Sequence, residues 1–195
     1  MNINLLDNAE AKQLQQLIIE AEHIVICAHK SPDGDALGSS LAWKSYLNQI
    51  GKTDVTVCMP DAYPDFLQWL PEANTVLRYD KNPEKVQETF NRADLVCCLD
   101  FNQYARVEAM RSTLEGCKAK RILIDHHLEP QTDNAITISQ PNMSSTSEMI
   151  FYIISQLGGY NDMTKDCAQC IYCGMMTDTG GFTYNSTRPE IYFVI

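Results

Sequence analysis

The sequence predicts an α/β fold with a mostly parallel sheet and helices on both of its faces. Short apolar runs of strand length alternate along the chain with longer runs in which apolar residues recur at helical spacing. The short runs are apolar throughout, which is typical of parallel strands buried on both faces. With 195 residues, 45% of them hydrophobic, the chain is long enough to form one such domain around a sizeable core.

The first half of the chain contains three predicted strands and three predicted helices. Asp7 is the expected N-cap of the first helix, in which apolar residues recur at helical spacing from Leu14 to Ala21. Four prolines divide the segment 60–83 and predict short irregular pieces there. The predicted strands are residues 23–28, 54–59 and 94–99, and the two later helices are residues 35–49 and 84–91.

The second half continues this alternation. Ser145 and Glu148 have the spacing of a capping box at the start of an apolar helix, which Gly158 ends. The predicted strands are residues 121–124 and 135–139, and the predicted helices are residues 104–114, 145–157, 163–176 and 188–195.

Three of the eight cysteines have a spacing that occurs in iron–sulfur ligand runs, namely Cys167, Cys170 and Cys173. The surrounding segment predicts a helix, which would turn the three thiols away from a common point. We therefore favour small residues on a packed helix over cluster ligands, and we expect free thiols in a reducing compartment.

The net charge is −10, from 15 basic and 25 acidic residues. Non-specific binding of nucleic acid requires basic side chains that neutralise phosphates, so we expect no long nucleic acid as a partner. No apolar stretch reaches the ~18 residues that span a bilayer, and no secretory signal is visible at the N-terminus. We expect a cytoplasmic protein without a membrane partner, and the sequence leaves open whether it forms a homodimer.

Ionisable side chains follow three of the predicted strands directly. Because ligands of parallel sheets bind outside the carboxyl ends of the strands, these side chains are expected to converge there. So many carboxylates in one place repel one another unless a cation neutralises them. The converging residues are His29, Asp33, Asp35, Asp100, Asp125, His126 and His127, and Asp178 is expected to join them from the end of a later helix.

Oxygen-rich ligands with a few imidazoles suit Mn²⁺, or Mg²⁺ with more retained water, and the lack of thiolates argues against structural zinc. The ligands are too many for one ion, which favours two ions that activate a shared water for phosphoester cleavage. A calcium-binding loop starting at Asp33 is excluded, because Lys44 would stand where the ligating glutamate belongs. Taken singly, Asp100 is more typical of a helix cap and Asp178 of a turn. The prediction of a metal site rests on all of the converging residues together.

Four motifs in this order resemble those of the DHH phosphoesterases, over about residues 20–190. They are HKSPDGDALGS from His29, LDFN from Leu99, IDHH from Ile124 and GMMTDTGGF from Gly174. The residues of the first and last motifs are most similar to those of the nanoRNase and 3′-phosphoadenosine-5′-phosphate (pAp) phosphatase branch. Members of that branch hydrolyse short oligoribonucleotides and pAp with two Mn²⁺ ions.

The resemblance implies a role for each residue of the site. One ion would be held by His29, Asp33 and Asp100, and Asp100 would bridge to a second ion. That second ion would also be held by Asp35, His126 and Asp178. His127 would bind the scissile phosphate, and Asp125 would orient the imidazoles. For Arg106 we weigh a phosphate contact against an exposed surface position. For the helix start at Ser144–Thr146 we weigh help in lining the site against simple capping.

The resemblance also sets expectations for domains and substrate. We expect residues 1–187 to form the catalytic, metal-binding domain and residues 188–195 to begin an interdomain linker helix. The substrate-binding domain with a Gly-Gly-Gly-His motif is expected to be absent from this chain. The expected function is Mn-dependent hydrolysis of short RNA or pAp. The alternatives are a pyrophosphatase or exopolyphosphatase with the same metal core, and a non-catalytic nucleotide- or metal-binding domain. A dinucleotide-binding domain is disfavoured, since G-x-G-x-x-G does not occur.

Overall fold

The computed structural model describes residues 4–131 and 133–195, so residues 1–3 and 132 of the predicted catalytic domain lie outside the described residues. A six-stranded sheet of parallel pairs forms its centre, in the order β3-β2-β1-β4-β5-β6. The strands are β1 (His23–Cys27), β2 (Asp54–Met59), β3 (Leu77–Arg78), β4 (Leu95–Leu99), β5 (Lys120–Asp125) and β6 (Ile136–Ser139). The predicted α/β fold is confirmed.

Helices cover both faces of the sheet. They are α1 (Asn8–Glu20), α2 (Gly34–Gln49), α3 (Pro83–Arg92), α4 (Arg111–Gly116), α5 (Thr146–Gln156), α6 (Lys165–Asp178) and α7 (Ile191–Val194). Successive strand residues point into different cores, because side chains alternate along a strand. Ile24 and Ile26 pack with α1, α2, α5 and α6, whereas Val25 and Cys27 pack with α3 and α4. Among the described residues, no helix is both long and apolar enough to cross a membrane.

The helices α2 and α6 pack very closely. A Cβ atom added to Gly38 would lie 2.5 Å from the carbonyl oxygen of Cys170. Cys167, Cys170 and Cys173 are buried free thiols on α6, in agreement with small residues on a packed helix. This close packing brings the start of α2 and the end of α6 to the same edge of the sheet.

The predicted helix 104–114 is wrong as a single helix. A 3-10 segment, Tyr104–Met110, breaks at Glu108 (φ 40°), and α4 begins at Arg111. The carboxylate of Glu108 lies 2.6 Å from the Nζ atom of Lys30, and the backbone N–H of Lys30 donates to the carbonyl oxygen of Arg106. These long-range contacts with the loop after β1 override the local helical pattern.

Two other boundaries differ from the sequence prediction. The segment 60–83 contains two 3-10 turns and the short strand β3, which extends the sheet beside β2. The predicted helix 188–195 is reduced to α7, since residues 188–190 form a turn in which the Arg188 carbonyl accepts from the Ile191 N–H. The pairing of β3 with β2 is a tertiary contact that a local pattern does not contain.

Candidate metal centre

The candidate site lies at the carboxyl edge of the sheet, where the neighbouring strands β1, β4 and β5 end. The first turn of α2 and the last turn of α6 reach the same edge. The structure brings together there the eight acidic and imidazole residues that the sequence predicts, namely His29, Asp33, Asp35, Asp100, Asp125, His126, His127 and Asp178.

The first group of donor atoms belongs to His29, Asp33 and Asp100, all within 4.8 Å of one another. The Nε2 atom of His29 lies 3.4 Å from Oδ2 of Asp100 and 3.9 Å from Oδ2 of Asp33. Asp33 uses its other oxygen, Oδ1, to cap α2 by accepting from the backbone N–H groups of Asp35 and Ala36. Oδ2 of Asp33 is therefore free for a metal ion, on a side chain that is 55% exposed.

The second group consists of Asp35, His126 and Asp178. The Nε2 atom of His126 lies 3.3 Å from Oδ2 of Asp178, 3.6 Å from Oδ1 of Asp100 and 4.0 Å from Oδ2 of Asp35. Asp100 thus presents Oδ2 to the first group and Oδ1 to the second. It also has a left-handed backbone (φ 61°), which costs free energy in a residue other than glycine and is frequent at functional sites.

The Nδ1 hydrogen bonds of two histidines leave their Nε2 atoms available to a cation between these groups. Nδ1 of His29 lies 2.7 Å from the carbonyl oxygen of Lys30, and Nδ1 of His126 lies 3.3 Å from that of Met143. A carbonyl oxygen can only accept, so each Nδ1 carries a proton, and in the neutral imidazole Nε2 presents a lone pair. Both Nε2 atoms face carboxylate oxygens of Asp100, an arrangement that suits a cation bound between them.

The amino end of α5 donates hydrogen bonds to the carboxylates of the site. Asp35 is fully buried and accepts from the backbone N–H groups of Thr146 (2.7 Å, at Oδ2) and Ser147 (2.8 Å, at Oδ1). The hydroxyl of Thr146 donates to Oδ1 of Asp100 at 3.0 Å. Ser145 caps the helix by accepting from the backbone N–H of Glu148. The helix start therefore both caps itself and binds an anion, and that anion is the carboxylate of Asp35.

Burial and mutual repulsion shift the pKa values of the buried carboxylates. Burial, followed by repulsion from Asp35, raises the pKa of Asp178 to about 7. The same causes raise the pKa of Asp100 well above its ordinary value. The pKa of Asp35 is also raised, chiefly by burial, despite its two backbone donors. Divalent cations would reverse these shifts, because they favour the ionised carboxylates.

His127 forms a further group of donor atoms with Asp100 and His126, and Arg106 lies beside it. The Nδ1 atom of His127 lies 2.7 Å from Oδ1 of Asp125, whose Oδ2 accepts from the backbone N–H of His127 at 3.0 Å. A guanidinium N–H of the half-buried Arg106 donates to Nε2 of His127 at 3.2 Å, so this imidazole is neutral with its proton on Nδ1. Asp125 thus orients His127, whereas the carbonyl of Met143 orients His126.

The sequence raised a role for the helix start Ser144–Thr146 in lining the site, but it did not predict the contacts that Met143, Thr146 and Ser147 make there. All three residues act through backbone groups, which the residue type does not reveal. The capping-box pattern at Ser145 located the helix start, but not the carboxylate that the helix start binds.

Comparison with known proteins identifies the type of domain. A sequence model described as the DHH family, N-terminal domain, matches residues 23–175. The bifunctional oligoribonuclease and PAP phosphatase NrnA of Thermus thermophilus is 32% identical over 168 residues, which are 86% of this chain and 47% of that protein. Its namesake in Bacillus subtilis is 30% identical over 86% of this chain and 49% of that protein. The chain spans about half the length of these curated relatives.

Solved structures show the same fold. An exopolyphosphatase-related protein from Bacteroides fragilis superposes with a TM-score of 0.95 and 44% identity, over 98% of this chain and 56% of that one. The exonuclease RecJ bound to manganese superposes with a TM-score of 0.53 and 16% identity, over 94% of this chain and 47% of that one, and shares the fold.

Proposed function

Because the chain belongs to the DHH family, in the branch of the oligoribonuclease and pAp phosphatase proteins, we propose that it hydrolyses phosphoesters with two Mn²⁺ ions. Mg²⁺ is the other ion that these ligands suit. The observation that carries the proposal is the position of Asp100, whose two carboxylate oxygens each face a different group of donor atoms. This is the arrangement of a bridging carboxylate in a two-metal site.

The ligands divide between two ions as the two groups divide in space. His29, Asp33 and Asp100 would hold one ion. The other would be held by Asp100 together with the second group, which is Asp35, His126 and Asp178. Two Mn²⁺ ions held there would supply an activated water and neutralise the charge of the phosphoryl group. Thr146 and Ser147 keep Asp35 and Asp100 in place through the hydrogen bonds described above.

The chain's own residues would bind the substrate beside this centre. Arg106 would neutralise a phosphate oxygen with its guanidinium group, and His127 would lie against the same phosphate. Asp125 keeps the His127 ring in one orientation by accepting from both its Nδ1–H and its backbone N–H. All of these residues belong to the segment 1–187, which we propose as the catalytic unit.

For the substrate we propose short oligoribonucleotides, pAp or both, by analogy with the names of the NrnA relatives. Inorganic polyphosphate is the second candidate, since the Bacteroides fragilis protein, at 44% identity, is described as exopolyphosphatase-related. The acidic chain favours a small substrate over long nucleic acid in both cases.

The test is a comparison of three substrates with the same preparation. Release of mononucleotide from a diribonucleotide, phosphate from pAp and phosphate from polyphosphate would be measured with Mn²⁺, and again with the Asp100→Asn variant. We expect hydrolysis of the diribonucleotide or pAp that depends on Mn²⁺ and is lost in the variant. Selective hydrolysis of polyphosphate would support the second candidate. Binding of Mn²⁺ without hydrolysis of any of the three would support a non-catalytic metal-binding domain.

A further inference from the structure

An ion pair between the partly exposed Arg188 and the buried Glu148 lies at the amino end of α5. Glu148 is 0% exposed, and one of its carboxylate oxygens, Oε1, accepts from the guanidinium group of Arg188. The other oxygen, Oε2, accepts from both the backbone N–H and the hydroxyl of Ser144, each at 2.8 Å. Arg188 also places a guanidinium N–H 3.1 Å from the sulfur atom of Met143.

This ion pair holds the segment that in turn holds the ligands. Within residues 143–147, the carbonyl of Met143 orients the ring of His126, and the backbone of Thr146 and Ser147 binds Asp35. Arg188 and Glu148 therefore contact both the first residue of this segment and Ser144, which follows it. A shift of either residue would move the acceptor of His126 and the donors of Asp35 together.

The cost of burying Glu148 argues that the contact has a role. Without Arg188, the carboxylate would be a buried charge with hydrogen bonds but no countercharge, which is strongly unfavourable. A glutamine at position 148 could accept from Ser144 without requiring an arginine. The charged pair instead makes the position of Met143–Ser147 depend on Arg188, which lies in the turn that leads to α7.

We infer that Arg188 is a positioning residue of the metal centre: through Glu148 it fixes the segment 143–147 that holds His126 and Asp35. The inference rests on the proposed metal-binding function and extends it. It ties the affinity for the ion at the second group to the chain segment that follows the last metal ligand, Asp178. Movement of that segment would change the affinity for the ion without any contact between Arg188 and the ion.

The test is Mn²⁺ affinity, measured from the electron paramagnetic resonance signal of free Mn²⁺ at a temperature far below unfolding. We expect Arg188→Gln to weaken binding at one of the two sites about 10- to 100-fold, as for other residues that orient metal ligands. Arg188→Lys should recover part of this loss, because it keeps a positive charge near Glu148. Arg111→Gln is the matched control, since Arg111 pairs with the exposed Glu115 at 2.7 Å, and it should leave the affinity unchanged.

A double substitution keeps the inference testable if Arg188→Gln unfolds the protein. Glu148→Gln together with Arg188→Gln removes the buried charge and leaves an acceptor for Ser144. We expect this double variant to bind Mn²⁺ more tightly than Arg188→Gln alone, because the two residues act as one unit. The inference is overturned if Arg188→Gln is folded and binds Mn²⁺ like the wild type, or if the two substitutions act additively. Where Arg188→Gln unfolds, it is overturned if the double variant binds Mn²⁺ like the wild type. A wild-type chain that binds no Mn²⁺ would instead overturn the proposed function itself.

Discussion

Gly174 offers a direct test of how closely the helices must approach behind the metal ligands. It lies inside α6, where glycine is less favourable than alanine by about 1 kcal/mol. On helix propensity alone, Gly174→Ala would therefore stabilise the protein. A Cβ atom at this position, however, would lie 1.9 Å from Oγ of Ser147 and 2.8 Å from Oδ1 of Asp35.

These distances determine the expected effect. Ser147 and Asp35 are both 0% exposed, so neither side chain can move aside into solvent. Overpacking of this kind costs about 1–3 kcal/mol, which exceeds the propensity gain and leaves a net loss of about 0–2 kcal/mol. Because Ser147 donates its backbone N–H to Asp35, the same displacement should weaken Mn²⁺ binding about 10- to 100-fold.

The assay combines thermal unfolding of the metal-free protein with titration of Mn²⁺. Gly116→Ala is the control, because a Cβ atom at Gly116 meets no atom within 4 Å, and it should leave Mn²⁺ affinity unchanged. If Gly174→Ala were as stable as the wild type and bound Mn²⁺ equally well, the close approach of Gly174 to Ser147 and Asp35 would have no role in the site.

Three further predictions concern the substrate side of the site and its pH dependence. Arg106→Gln should raise KM for a phosphorylated substrate about tenfold, the loss of one charge-assisted hydrogen bond, and leave Mn²⁺ affinity unchanged. Steady-state kinetics beside the exposed control Arg92→Gln would check this, and an unchanged KM would refute the phosphate contact. Asp125→Asn should lower kcat about 10- to 100-fold with the fold intact, because an amide no longer fixes His127 with its proton on Nδ1. Full activity in this variant would show that the ring needs no such orientation. Burial raises the pKa of Asp178 to about 7. Between about pH 4 and pH 7, the folded, metal-free protein therefore keeps a proton that the unfolded chain has lost. The stability of the metal-free protein should fall as the pH rises through this range. Since Mn²⁺ displaces that proton, the rise in melting temperature on adding Mn²⁺ should grow from about pH 5.5 to about pH 8; a rise independent of pH would contradict the shift.

The sequence contains the fold class and the cluster of ligands because both depend on local patterns. Each apolar run that forms a strand is followed by its ionisable residues, and the edge of a parallel sheet brings such residues together. Asp100 and Asp178 are each unremarkable alone, and their meaning comes from the strand or helix end at which they lie.

The sequence does not contain the contacts that hold the ligands in place. Asp35 is bound by backbone N–H groups of a helix that begins more than a hundred positions later, and His126 by the carbonyl of Met143. Backbone groups are the same in every residue, so no pattern of side chains predicts them. The break at Glu108 was missed for a related reason, because the segment contacts Lys30, which is distant in sequence.

The surroundings of Arg106 also could not be predicted from the sequence. Its residue type allowed both a phosphate contact and an exposed surface position. The fold orients the 3-10 segment Tyr104–Met110 so that the guanidinium group of Arg106 contacts His127.

The central claim is that Asp100 bridges two metal ions at the carboxyl edge of the sheet. Anomalous diffraction at the manganese absorption edge, from crystals of the chain grown with Mn²⁺, tests it most directly. We predict two peaks about 3.5–4 Å apart, one near His29 and one near His126, with Asp100 in contact with both. A single peak, or two peaks of which only one contacts Asp100, would contradict the account.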